Sequence, residues 1–326
     1  MTEPQKLDAP AGQRSRLRRI ARRSALTVVT LAVALTAASF GYNLATDGSA
    51  PRPPGLLMAK GGGFDTRYRQ WGTQGSPIVL VPGALETADT FSALGTVLGS
   101  DHRVFAIDLT GTGYSVPSPP FSAGHLAAQL LAFLAAKGLT GASAPVLVGH
   151  SLGAAVVGLA ALSGPRFVRG VVFLDGDATP LSGPGLPGWL LIDPYRTTLL
   201  RLALSQDWLA RRLYSAMCGP TCAPLSTAGV ETWRLPLQQP GFESEITYTL
   251  RYGIASMTTA QFRQLRATQV PKRVIFGIND PQMSHSDADA TAARIGAPPP
   301  VFVPGRHLTM ISSPRQVAAA VLVFIG

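Results

Sequence analysis

The chain has 326 residues, 46% of them hydrophobic and 14% charged, with a formal net charge of +10. That length suits one large α/β body or two small ones, and the low charge fits a globular body with an added apolar segment. The basic excess does not mark a nucleic-acid binder: +5 of it sits in residues 1–23, where Lys6, Arg14, Arg16, Arg18, Arg19, Arg22 and Arg23 outnumber Glu3 and Asp8, and no basic-and-aromatic stripe follows.

Residues 1–23 read as a basic cytoplasmic tail and residues 24–46, which hold no charge, as a membrane-spanning signal-anchor. Those 23 residues would span about 34 Å as a helix, enough for a bilayer core. Arginines before the segment and Asp47 after it put the body outside the cytoplasm. The competing expectation is a signal peptide cut near Ala37-Ala38 or Leu44-Ala45, leaving a secreted body. Residues 47–63 read as a Pro/Gly linker.

The body then alternates. Residues 64–71 are expected as a first, edge strand, and Ile78-Val79-Leu80-Val81 as a strand buried on both faces, ending at Pro82-Gly83. Helical spacing follows over 87–98, a second buried strand over 104–107, and an amphipathic helix over 122–137 capped by Ser122 and stopped by Gly138. Val146-Leu147-Val148 leads into Gly149-His150-Ser151-Leu152-Gly153, and a run of small residues follows as a buried helix. Val171-Val172-Phe173-Leu174 is the next strand, ending at Asp175-Gly176-Asp177.

Residues 181–267 break the rhythm, with three of the four tryptophans, both cysteines and helical runs over 197–217 and 256–266. They read as a helical cap, whose Trp189, Trp208 and Trp233 are taken as packing residues. Cys218 and Cys222, four apart, are a candidate local disulfide suited to an oxidising compartment. With no histidine nearby they make a poor metal site. Strands over 273–277 and 301–303 and a helix over 314–325 complete the chain. The expected fold is α/β: a mostly parallel sheet flanked by helices, its core made of residues 64–180 and 268–326, with one helical insertion.

Strand, sharp turn, helix around a glycine-flanked serine is the setting of a nucleophile elbow. A serine hydroxyl needs a base to take its proton, and the base needs an acid behind it. In a parallel sheet such partners stand on loops at the carboxyl ends of strands. Of the five histidines, His102 precedes a strand, His125 starts a helix, His150 lies inside the elbow and points elsewhere, and His285 falls in a loop. His307 follows a late strand. Asp280 follows the strand before it, with Asp175 and Asp177 as alternative acids. Asp108 reads as a structural turn carboxylate.

These motifs together resemble the α/β-hydrolase fold superfamily, in its serine-nucleophile branch with a cap domain. They are Val81-Pro82-Gly83-Ala84, the 108–115 loop, Gly149-His150-Ser151-Leu152-Gly153, and Asp280 with Gly305-Arg306-His307. The resemblance covers residues 64–326. It implies Ser151 as nucleophile, His307 as base, Asp280 as its orienting acid, and an oxyanion hole from the N–H groups of Ala84 and Leu152. Pro82 stands where many members carry histidine, a variation the family tolerates. The implied activity is cleavage of an ester or related acyl bond in a small, hydrophobic substrate, with no cofactor, metal or nucleic acid. The same residues could serve acyl transfer, carbon–carbon hydrolysis or cofactor-free perhydrolysis. A non-catalytic, membrane-tethered binding protein is the alternative of a different class.

Overall fold

The centre of the sheet is made by runs too apolar to face water on either side. In a computed structural model that describes residues 11–48, 50–180 and 192–325, β3 (Pro77–Val81), β5 (Val146–His150) and β6 (Gly170–Leu174) are buried at every position. Alternate side chains serve opposite faces. Val79, Val81, Leu147 and Phe173 pack with α3 (Ala123–Ala136), α4 (Gly153–Ser163), α9 (Thr259–Ala267) and α10 (His285–Ile295) on one side. Ile78, Leu80, Val148 and Val172 pack on the other with α2 (Ser92–Leu98), α11 (Thr309–Ser312) and α12 (Pro314–Ile325).

With β1 (Leu57–Gly61), β2 (Phe64–Trp71), β4 (Arg103–Ile107), β7 (Lys272–Gly277) and β8 (Val301–Val303), the sheet has eight strands in the order β1-β2-β4-β3-β5-β6-β7-β8. Pairings from β4 through β8 are parallel, while β2 runs antiparallel to both neighbours. The chain reverses direction across the sheet at β3, which lies between β4 and β5. A switch point of this kind opens a crevice outside the carboxyl ends of the strands.

Several expectations need correction. The 47–63 linker contains β1, so residues 64–71 form the second strand and not the edge. Gly62 and Gly63, at φ 56° and 83°, close a two-residue hairpin of the sort that needs positive φ at both positions. The expected helix over 197–217 is two helices, α5 (Tyr195–Leu204) and α6 (Asp207–Cys218), parted at Ser205-Gln206. His285 is the first residue of α10, behind a Ser284–Asp287 capping box, and not a loop residue. The Ser122 cap holds as expected, accepting from the His125 N–H.

The insertion between β6 and β7 continues with α7 (Thr227–Arg234) and α8 (Phe242–Tyr252). It does not form a unit of its own. Contacts divide the chain into Met1–Gly48 with Pro187–Leu202, and Ser49–Leu186 with Ala203–Gly326. Cys218 and Cys222 are joined in a disulfide. Trp233 packs edge-on to Tyr214, whereas Trp208 is 62% exposed and is no packing residue; Trp189 lies outside the described residues. In the first unit α1 (Ala11–Ala45) includes a stretch, Arg18–Ala45, long and apolar enough to cross a membrane.

Phe173→Ala, which empties a fully buried position, should lower stability by about 3–5 kcal/mol. Urea unfolding of wild type and variant measures it.

Candidate active site

The elbow is built by backbone approaching backbone. β3 and β5 pair in register to their ends, with Val81 opposite Gly149. A Cβ on Gly149 would meet the Gly153 carbonyl oxygen at 2.2 Å, and one on Gly153 would meet the Val81 oxygen at 2.4 Å. No side chain fits either place, which is the physical reason for the glycines on both sides of Ser151. Ser151 itself takes φ 50°, a left-handed conformation that costs a non-glycine residue roughly 1–3 kcal/mol. Its N–H is held by the Leu174 carbonyl at 2.9 Å, and Gly176 abuts its backbone so closely that a Cβ would lie 2.4 Å from the Ser151 oxygen. The turn is fixed on both sides.

The loop after β3 is similarly placed. A Cβ on Gly83 would stand 2.9 Å from Ser151 Cβ. The Gly83 N–H donates to Glu86 Oε2 at 2.9 Å, so it is already used. Ala84 is next in the chain and exposed. Leu152 precedes α4, among the amides at a helix start that lack an intrahelical acceptor. Leu85 follows with φ 63°, a second strained residue beside the elbow.

Asp280 and His307 come from the loops after β7 and β8, tied to each other by Ile278 N–H to Val303 O at 2.9 Å and Asn279 N–H to Gly305 O at 3.0 Å. His307 Nδ1 lies 2.8 Å from Asp280 Oδ2, and the Asp280 side chain is fully buried. Its other oxygen accepts the Gln282 N–H. Asp175 is placed differently. It accepts from the Gly277 N–H at 2.8 Å and from the Thr309 hydroxyl, and lies 3.8 Å from His150 Nε2. Asp177 bonds Thr179. Of the three candidate acids, Asp280 is the one hydrogen-bonded to His307. Asp108 is wholly buried, paired with Arg67 and accepting the Ala88 and Tyr114 N–H groups. It serves the loop it begins.

The sequence reading missed what holds His307 beside the elbow. His150 is fully buried, with Nδ1 2.8 Å from Glu86 Oε2 and Nε2 2.8 Å from the His307 carbonyl oxygen. Both partners accept hydrogen bonds, so both ring nitrogens donate and the ring is an imidazolium. Glu86 therefore bridges the loop after β3 to His150, and His150 bridges the elbow to the backbone of His307. Burial acts to lower the His150 pKa, but Glu86 and Asp175 outweigh it and hold it up at about 9. Burial pushes Asp175 up to about 6, against the nearby histidines. The only hint in the sequence was a histidine and a glutamate in two strand-end loops.

A cavity of about 190 Å³ lies in the larger unit, lined by Leu85, Thr90, Tyr214, Leu225, Trp233 and Ile311 among others. Leu85 adjoins Ala84, and Ile311 stands four residues after His307, in α11.

Because the folded pKa of His150 lies above its ordinary 6.5, its stabilisation is complete below that value and is lost as pH rises through about 9. Asp175 titrates below this window. Raising the pH from 7.5 to 10 should therefore remove about 2 kcal/mol of stability, and in Glu86→Gln the fall should be smaller and begin at lower pH. Thermal melts across that range check this; coincident profiles for the two proteins contradict it.

The comparisons agree with this architecture. A model described as the Alpha/beta hydrolase family matches residues 78–320. N-formylmaleamate deformylase of Pseudomonas putida is 34% identical over 125 residues, which cover 38% of this chain and 44% of that protein, so the chain matches under half the length of this relative. A bacterial membrane phospholipase A superposes with a TM-score of 0.65 at 18% identity, covering 96% of this chain and 98% of that one. An esterase from Thermogutta terrifontis does so with 0.64 at 21% identity, covering 83% and 97%. With the eight-stranded sheet and the glycine-locked elbow at its switch point, the match over residues 78–320 establishes that the chain belongs to the alpha/beta hydrolase family.

Proposed function

We propose that the protein is a serine hydrolase that cleaves an ester bond through an acyl-enzyme. The observation that carries this reading is the 2.8 Å bond from His307 Nδ1 to the buried Asp280 carboxylate, on a backbone that His150 ties to the Ser151 elbow. A carboxylate on Nδ1 fixes the tautomer in which Nε2 is free to accept a proton. Ser151 Oγ attacks the carbonyl carbon as His307 takes its proton. The oxygen that becomes negative accepts the Ala84 and Leu152 N–H groups, donors worth roughly 10²–10³-fold each in rate where such sites are measured. His307 then protonates the leaving alcohol. Water, activated by the same base, releases the acid and restores Ser151. No step needs a metal or organic cofactor.

The cavity beside Leu85 and Trp233 suits a short apolar acyl or alkyl group, being smaller than the roughly 300–1,000 Å³ of sites for drug-sized ligands. The insertion that supplies Trp233 acts as the cap. The likeness to a membrane phospholipase supports a lipid-like ester. The deformylase relative favours an N-acyl substrate as a second reading. The first helix serves as a single-pass anchor with the body outside the cytoplasm, a setting in which the Cys218–Cys222 disulfide persists.

Release of p-nitrophenol from short- and medium-chain esters by the full-length protein in detergent tests the reading. Ser151→Ala should lose about 10⁴-fold or more in kcat, and Asp280→Asn a comparable factor through the wrong tautomer. Turnover unchanged in Ser151→Ala overturns the assignment. Cleavage of N-acyl anilides in preference to esters selects the second reading.

A further inference from the structure

The smaller unit joins two segments more than 140 residues apart, α1 and the chain from Ile192 into α5. The seam between them is polar. Thr36 Oγ1 lies 2.5 Å from the Tyr195 hydroxyl. Asn43 Nδ2 donates to the Pro194 carbonyl at 2.9 Å, and its Oδ1 accepts from Thr198 at 2.9 Å. Arg201 donates to the Asn43 carbonyl at 2.6 Å and reaches Asp47 at 3.3 Å. Thr36, Ser39 and Asn43 fall three and four residues apart, on one face of α1, and Ser39 is buried there. The remaining surface is apolar and open: Val33, Leu35, Phe40 and Leu44 are all at least 60% exposed.

A cleaved signal peptide has no use for such a face. In a bilayer, Thr, Asn and Tyr side chains need partners, and helix pairs supply them. The charges on the second segment are paired, Arg196 with Asp193 and Arg201 with Asp47, the form in which charges are carried beside lipid. Ile192 and Leu199 of the same segment are also exposed, at 57% and 48%.

We infer that α1 is retained in the mature protein and that its polar face docks the Pro194–Arg201 stretch of the β6–β7 insertion at the outer leaflet, with Ile192 and Leu199 against lipid. The inference rests on the anchor reading above, and it makes the insertion itself a membrane-held element.

The test uses the full chain in its native membrane and in phosphatidylcholine nanodiscs. Intact mass of the purified protein reads whether residues 1–47 remain. Asn43→Cys/Thr198→Cys reads the docking, because these side chains touch; peptide mapping after mild oxidation should find them cross-linked in most molecules. A bimane on Leu199→Cys should be quenched several-fold more by brominated phosphatidylcholine than by aqueous iodide. A mature chain that begins beyond residue 45 overturns both the anchor and the docking. An intact chain whose two cysteines stay separately alkylatable overturns the docking and leaves the anchor standing. A bimane quenched mainly by iodide, or shielded from both quenchers by a protein contact, overturns the lipid-facing surface.

Discussion

Everything at the candidate site depends on how closely β3 and β5 approach where they end. Two parallel strands in register bring the loop after Val81 and the turn after His150 to one place, where glycines at 149 and 153 let backbone meet backbone and Gly83 leaves room for the Ser151 side chain. The position of Ser151 is thus a consequence of sheet register, which the apolar faces of both strands fix. A slip of one residue would turn Val79 and Leu147 to the wrong layer. The strained φ angles of Ser151 and Leu85 are held by this packing.

Around that contact the chain builds a second, electrostatic frame. Glu86, His150 and the carbonyl of His307 form one buried line across three loops, and Asp175 ties the same region to Gly277 and Thr309. A buried ion pair adds little net stability by itself, but losing one partner leaves an uncompensated charge. The arrangement therefore acts on geometry. It keeps the loop after β3, the Ser151 elbow and His307 in one rigid set, as precise positioning requires.

The parts legible in the sequence were those written locally. Strands buried on both faces appear as apolar runs, the elbow as glycines around a serine, the α3 cap as Ser122. The hairpin of β1 and β2 was lost because Lys60-Gly61-Gly62-Gly63 has the composition of a flexible linker, although the same glycines supply the positive φ of the turn. Glu86 and His150 stand 64 positions apart, and no periodicity links them; only the fold does. The pairing of Asn43 with Thr198 is more distant still. Sequence could show that the first helix is apolar enough for a membrane, but not that one of its faces is matched to a later segment.

The central claim is that Ser151 is the activated nucleophile of this frame, and reaction with a fluorophosphonate tests it most directly. Peptide mapping after brief exposure of the full-length protein should place the adduct on Ser151, with labelling slowed by orders of magnitude in His307→Ala. A folded protein that stays unlabelled, or that carries its adduct on another serine, contradicts the account.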